Sequence, residues 1–248
     1  MVSAFCTQVK TAADWPRRRA EILKSWTDLI GEWPPLIEHP VVEKLESTKR
    51  DNFTQHKIRV EVTKGMMLAG YLLVPEGKGP FPAVVVPYYD PETSVGLTDK
   101  PLRDFAYQLT RRGFVSIAVG SPGGDARKPD LAGVKCQPLM FLGYIAANCY
   151  NALASMPEVD AKRVGIVGHS YGGKWSMFGS CFHEKFACAV WYVCRARLYY
   201  GMHRRTSLLT LGRLFLDAGR AVVLARRPGS IGRRGDGFRA TCTICKHP

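Results

Sequence analysis

Residues 163–175 read RVGIVGHSYGGKW, and the fold turns on this stretch. RVGIVG is a short unbroken apolar run, the pattern of a strand buried on both faces. YGGKWSMFGSCF, residues 171–182, has helical spacing. Between them Gly168-His169-Ser170-Tyr171-Gly172 forms G-x-S-x-G. With Gly and Ser each near ~7% of residues, about one chain in ten of this length holds such a match by chance. The motif acquires meaning from its position between a strand and a helix. Ser170 is expected on a sharp turn with strained backbone angles, where Gly168 and Gly172 leave room that a Cβ would fill. Its Oγ then stands above the sheet as a nucleophile for acyl transfer. The helix start behind it favours developing negative charge, and the Tyr171 backbone N–H is one expected oxyanion donor. The plain alternative is an ordinary N-cap serine. His169 adjoins the nucleophile on the chain, and neighbours on such a turn point apart. It is therefore read as a packing residue rather than the general base.

Working outward, DWPRRRAEILKSWTDLIGEW (14–33) predicts a helix. Asp14 is placed to cap it, Pro16 sits in its first turn, and Gly31 and Pro34-Pro35 end it. HKIRVEVT (56–63) and MMLAGYLLVP (66–75), joined by Lys64-Gly65, predict a hairpin with one solvated face. Apolar runs then alternate with helical patterns. FPAVVVPYY (81–89), FVSIAV (114–119), RVGIVG and FACAVW (186–191) are strands. LRDFAYQLTRRG (102–113) and residues 139–154 are helices, the first with Leu102, Phe105, Ala106 and Leu109 on its apolar side. An antiparallel start followed by a βαβ series gives an α/β class with a mostly parallel sheet flanked by helices.

The chain has 248 residues and 46% hydrophobic content, enough for one ordinary domain with a real core. No apolar run is long enough for a membrane span. The first residues lack the pattern of a signal peptide. The eight cysteines sit mostly in apolar segments, Cys188 among them, which predicts buried free thiols and, with them, a cytoplasmic setting.

The quoted segments together carry a resemblance. GYLLVPEGKGPFPAVVV (70–86), PYYDPE (87–92), RRGFVSIAVGSP (111–122), NALASMPEVDAKRVGIVGHSYGG (151–173) and KFACAVW (185–191) resemble the dienelactone hydrolase and acetyl xylan esterase branch of the α/β-hydrolases. The likeness runs from about Asp14 to Trp191. It implies a serine esterase acting on a small carboxylic or carbohydrate ester, with no cofactor and no metal. The second oxyanion donor should come from the loop after the first parallel strand, Pro87-Tyr88-Tyr89-Asp90. Tyr89 is the first choice and Tyr88 the next.

The sequence departs from that pattern after Trp191. An acid and a histidine are expected after two further strands, in the order Ser, Asp or Glu, His. Neither strand is visible, so the C-terminal strands read as missing. Residues 1–191 are read as a truncated α/β-hydrolase domain, and 192–248 as a basic tail, poorly structured or a surface helix around Leu208–Leu224. The tail holds eleven Arg and one Lys against two Asp, whereas the body holds ten Arg and thirteen Lys. That bias fits a GC-rich gene read out of frame from a frameshift near Trp191. Within the tail Asp217, Asp236, His203 and His247 are the candidate partners, and Ser170–Asp217–His247 has the right order. Its Arg pairs have no interleaved aromatics, so nucleic acid is not expected as a partner. Cys242 and Cys245 lack a second pair for a metal. His183 is expected exposed at the end of the helix after Ser170. The alternative function is an inactivated or non-catalytic α/β-hydrolase-like protein lacking the acid and histidine.

Overall fold

The computed structural model describes residues 11–100 and 102–192, with the backbone alone at Tyr192 and at 221–224. A helix α1, Trp15–Ile30, leads into three antiparallel strands: β1 Val42–Arg50, β2 Phe53–Thr63 and β3 Met66–Pro75. There follow β4 Phe81–Pro87, a short α2 Pro91–Ser94, α3 Phe105–Thr110 and β5 Val115–Val119. The long α4, Pro138–Ala154, precedes β6 Val159–His169, α5 Tyr171–Phe182, β7 Cys188–Tyr192 and β8 Ala221–Leu224. All eight strands form one sheet in the order β1-β2-β3-β5-β4-β6-β7-β8. The pairings are antiparallel as far as β3–β5 and parallel from β5 to β8. This is the expected α/β-hydrolase arrangement.

Alternation along the strands divides the core between the two faces of the sheet. Leu72, Val85, Ile117 and Val119 pack with α1, α4 and α5 on one face. Their neighbours Tyr71, Leu73, Val84, Val86 and Ala118 pack with α3 on the other. The runs AVVV of β4 and IAV of β5 are apolar throughout because both faces of the sheet are covered there. Helix α4 is buried nearly all round, which follows from its composition, PLMFLGYIAANCYNALA.

Asn148 of α4 is fully buried and joins three parts of the chain. Its Nδ2 donates to Val62 O at 2.8 Å, and its Oδ1 accepts from Ile37 N at 3.0 Å. The β2–β3 register shifts between Glu61 and Thr63, so Val62 falls at an irregularity in the ladder and the amide takes up its carbonyl. Asn148→Ala takes this partner from the buried Val62 carbonyl and from the half-buried Ile37 N–H. It is expected to cost about 2–4 kcal/mol, read as a lowered midpoint in urea denaturation. A midpoint unchanged within error would remove this role.

Several expectations are corrected. β1 was not anticipated, because its sequence VEKLESTKR is charged and its burial pattern is almost wholly exposed. It is an edge strand, which has no need of apolar alternation and is protected by charge. Leu102 lies outside α3, at φ 60 and 89% exposed, rather than on its apolar side. Asp14 stands at the N-cap of α1, but its carboxylate accepts from Thr11 N and Oγ1 instead of from the helix. FACAVW is buried on one face only: Ala189 and Trp191 are buried while Cys188 is exposed. Of the free thiols, Cys149 and Cys181 are buried and Cys136 is intermediate. Of the stretch Leu208–Leu224, read as a helix, the described residues Ala221–Leu224 form β8, which pairs parallel with β7, so one strand stands beyond Trp191 where none was expected. A short run such as Ala-Val-Val-Leu carries no period that tells helix from strand. Among the described residues no helix is long and apolar enough to cross a membrane.

Candidate active site

β6 ends at His169 and α5 begins at Tyr171, so Ser170 alone makes the turn. It does so at φ 57 and ψ −115, angles that a side-chain-bearing residue adopts only when its surroundings force it. Those surroundings are close backbone contacts. A Cβ on Gly168 would lie 2.1 Å from Gly172 O, and one on Gly172 would lie 2.3 Å from Pro87 O. The two glycines let the end of β6, the start of α5 and the end of β4 meet without side chains between them. Ser176 Oγ donates to Gly172 O at 2.9 Å and helps fix the first turn of α5.

Ser170 occupies the N-cap position of α5 yet makes no capping hydrogen bond with its side chain. The plain N-cap alternative predicts that bond. The Oγ faces the Tyr89 hydroxyl instead, at 3.3 Å.

The loop after β4 separates its two tyrosines. Tyr88 is 4% exposed, its N–H donates to Val119 O at 3.1 Å, and its hydroxyl accepts from Arg103 at 3.2 Å. With that amide engaged, Tyr88 is removed as an oxyanion donor. The Tyr89 N–H donates to no backbone or side-chain group among the described residues. Tyr89 is held from several sides. Its carbonyl accepts from Ser121 N at 3.2 Å, and Asp90 accepts from Thr93 N at 2.8 Å to start α2. Its ring meets Tyr88 edge-on at 5.0 Å and lies 6.1 Å from the Tyr171 ring.

His169 packs beside Tyr88 at 6.3 Å and Phe105 at 6.4 Å. Burial, and after it the Arg103 guanidinium, hold its imidazole below the ordinary histidine range. It therefore stays uncharged at neutral pH. Lys174, one turn into α5, lies 5.1 Å over the Tyr171 ring. Burial first, then Arg127, lowers the pKa of its ammonium. His183 is not exposed as expected. It is 5% exposed and packs against Tyr150 at 4.8 Å and Phe186 at 5.5 Å. The chain folds back into β7 directly after α5 and covers it. The triad candidates Asp217 and His247, and with them Asp236, His203, Cys242 and Cys245, lie outside the described residues. The sequence missed the phenol of Tyr89, since nothing in a one-dimensional pattern places it 81 residues along the chain from its partner.

In fold the chain resembles a Bacteroides fragilis protein assigned provisionally to the acetyl xylan esterases, with 13% identity and a TM-score of 0.67, covering 89% of this chain and 70% of that one. A glucuronoyl esterase from Solibacter usitatus gives 16% identity and a TM-score of 0.58, with 74% of this chain and 59% of that one covered. A glucuronoyl esterase from Teredinibacter turnerae gives 19% and 0.56, with 77% and 54% covered. The chain thus spans little more than half the length of these two glucuronoyl esterases. At such identities the likeness is one of fold. No curated protein matches in sequence. A family model described as "Esterase FrsA-like" matches residues 43–189, more than half of the chain, from β1 through the Ser170 turn to β7. The chain therefore belongs to the FrsA-like esterases and is, by family, an ester hydrolase.

Proposed function

We propose that the protein cleaves a small carboxylic or carbohydrate ester through an acyl-enzyme on Ser170. One observation carries the reading: Ser170 is held at φ 57 on a one-residue strand-to-helix turn, with its hydroxyl free of any helix cap. A strained turn kept at a position where any non-glycine residue is disfavoured calls for a role that needs the side chain. Oγ attacks the ester carbonyl, and the carbonyl oxygen becomes an oxyanion received by the Tyr171 and Tyr89 amides. The alcohol leaves and water releases the acid. His247 as general base and Asp217 as its orienting acid complete the proposal in the order Ser, Asp, His. The substrate is a small-molecule ester, and the scheme uses no cofactor.

The test is covalent capture. A fluorophosphonate probe is expected to modify the peptide carrying Ser170, as read by mass spectrometry. Probe on another serine, or on none, would refute the assignment. A second reading, an inactivated or non-catalytic hydrolase fold, is favoured by one fact. Among the described residues, the Ser170 hydroxyl meets a phenol and no imidazole. Under that reading, hydrolysis by the chain exceeds the water rate by no more than about 10³–10⁴-fold.

His169 supplies a further check. As a neutral packing residue between Tyr88 and Phe105 it is expected to tolerate His169→Phe with less than about a tenfold loss of kcat/KM, whereas loss of a general base costs about 10²–10⁴ or more. A loss in the second range would make His169 the base.

A further inference from the structure

The phenol of Tyr89 has one hydrogen-bond partner among the described residues, the Oγ of Ser170 at 3.3 Å. Nothing in the packing requires a hydroxyl there. The ring already meets Tyr88 and Tyr171, and the backbone is anchored through Ser121 N and the Asp90 cap. These anchors fix the phenol before any substrate arrives, which is what an electrostatic catalyst requires.

The contact is longer than the usual O–H···O range of ~2.5–3.0 Å. It therefore contributes little in the resting state. Either hydroxyl can donate across this contact; when the phenol, the stronger donor of the two, donates to Oγ, the serine proton is directed elsewhere. During attack this changes. Oγ shares its lone pair with the carbonyl carbon and becomes a poorer acceptor. Full negative charge develops on the other oxygen of that same carbon, beside Oγ and within reach of a donor already 3.3 Å from it. An interaction that is weak in the ground state and strong in the transition state accelerates the chemical step.

Resting on the reading of Ser170 as nucleophile, we propose that Tyr89 is a catalytic residue whose phenol donates a hydrogen bond to the oxyanion, alongside the amides of Tyr89 and Tyr171. In the step, the Oγ–carbon bond forms, and the serine proton passes to the general base, an imidazole in the scheme above. The carbonyl π pair moves onto oxygen. The phenol keeps its proton throughout. On collapse the carbon–alkoxy bond breaks, and the leaving alcohol takes the proton from the base.

Tyr89→Phe removes one oxygen and keeps the ring and the amide. With p-nitrophenyl acetate as probe, kcat is expected to fall by about 10²-fold or more, with KM nearly unchanged. Affinity for an aryl boronic acid, which forms a tetrahedral adduct on the serine, is expected to fall in parallel, and the melting temperature to hold. Replacing Tyr89 with 3,5-difluorotyrosine, a more acidic phenol, is expected to move the alkaline limb of kcat to lower pH, because a phenolate donates nothing. An unchanged kcat, a change confined to KM, or an unmoved alkaline limb would each overturn the proposal. If Ser170→Ala abolishes turnover while Tyr89→Phe leaves kcat unchanged, the nucleophile stands and the phenol role falls. If the intact chain neither turns over the ester nor binds the boronic acid, both fall.

Discussion

Ser170→Ala is expected to lower kcat toward an activated ester by about 10³–10⁶-fold, the range seen when a serine nucleophile is removed and only binding and the oxyanion donors remain. Labelling by a fluorophosphonate should vanish with it. The fold should survive. The hydroxyl makes no cap to α5, and its contact is the long one to Tyr89. Alanine is no more strained at φ 57 than serine. Ser170→Gly sharpens the point. Glycine tolerates that backbone, so this variant should melt higher, by the equivalent of about 1 kcal/mol, while being equally inactive. Such a result would mean that the chain keeps a destabilising residue for its chemistry. Activity in either variant equal to that of the parent would remove Ser170 from the reaction.

The second large effect is structural. Gly168→Ala would put a Cβ 2.1 Å from Gly172 O and 2.3 Å from Gly172 C, and Gly172→Ala would put one 2.3 Å from Pro87 O. Each of these neighbours is backbone, so no side chain can swing away. Relief requires α5 to separate from β6, or β4 from the helix start. The cost is expected to exceed about 4 kcal/mol, a large part of the ~5–15 kcal/mol that holds a domain together. Both variants should give little soluble protein or a melting temperature lower by more than ten degrees, on the order of that cost. Gly65→Ala is the control. That glycine also has positive φ, at 80, but a Cβ there meets nothing within 4 Å. Its cost should stay near ~1 kcal/mol, the left-handed penalty alone. Equal losses at positions 65 and 168 would show that close backbone approach is not what the motif protects.

Local patterns made much of this molecule readable. Unbroken runs such as AVVV and IAV mark strands covered on both faces, and the structure buries Val84, Val85, Ile117 and Ala118 accordingly. The turn at Ser170 was legible because its glycines meet a steric need that operates within five residues. β1 was not legible, since an edge strand needs no apolar alternation. The burial of His183 was not legible either. A helix end is exposed or covered according to where the next strand passes, and here Tyr150 and Phe186 close over it.

By itself, then, the sequence determined the order of the central strands and helices from β2 to β7, the parallel body after an antiparallel start, and the serine on its turn, all through contacts between residues near in the chain. Only the tertiary structure decided what stands around that serine. It engages the Tyr88 amide with Val119 O and so distinguishes it from that of Tyr89. It brings the Tyr89 phenol to 3.3 Å from Ser170, and it packs His169 beside Phe105. The reason is physical. Periodicity and turn chemistry act over a few residues, whereas these groups meet only because β4, β5 and β6 lie side by side in the sheet and end at the same edge.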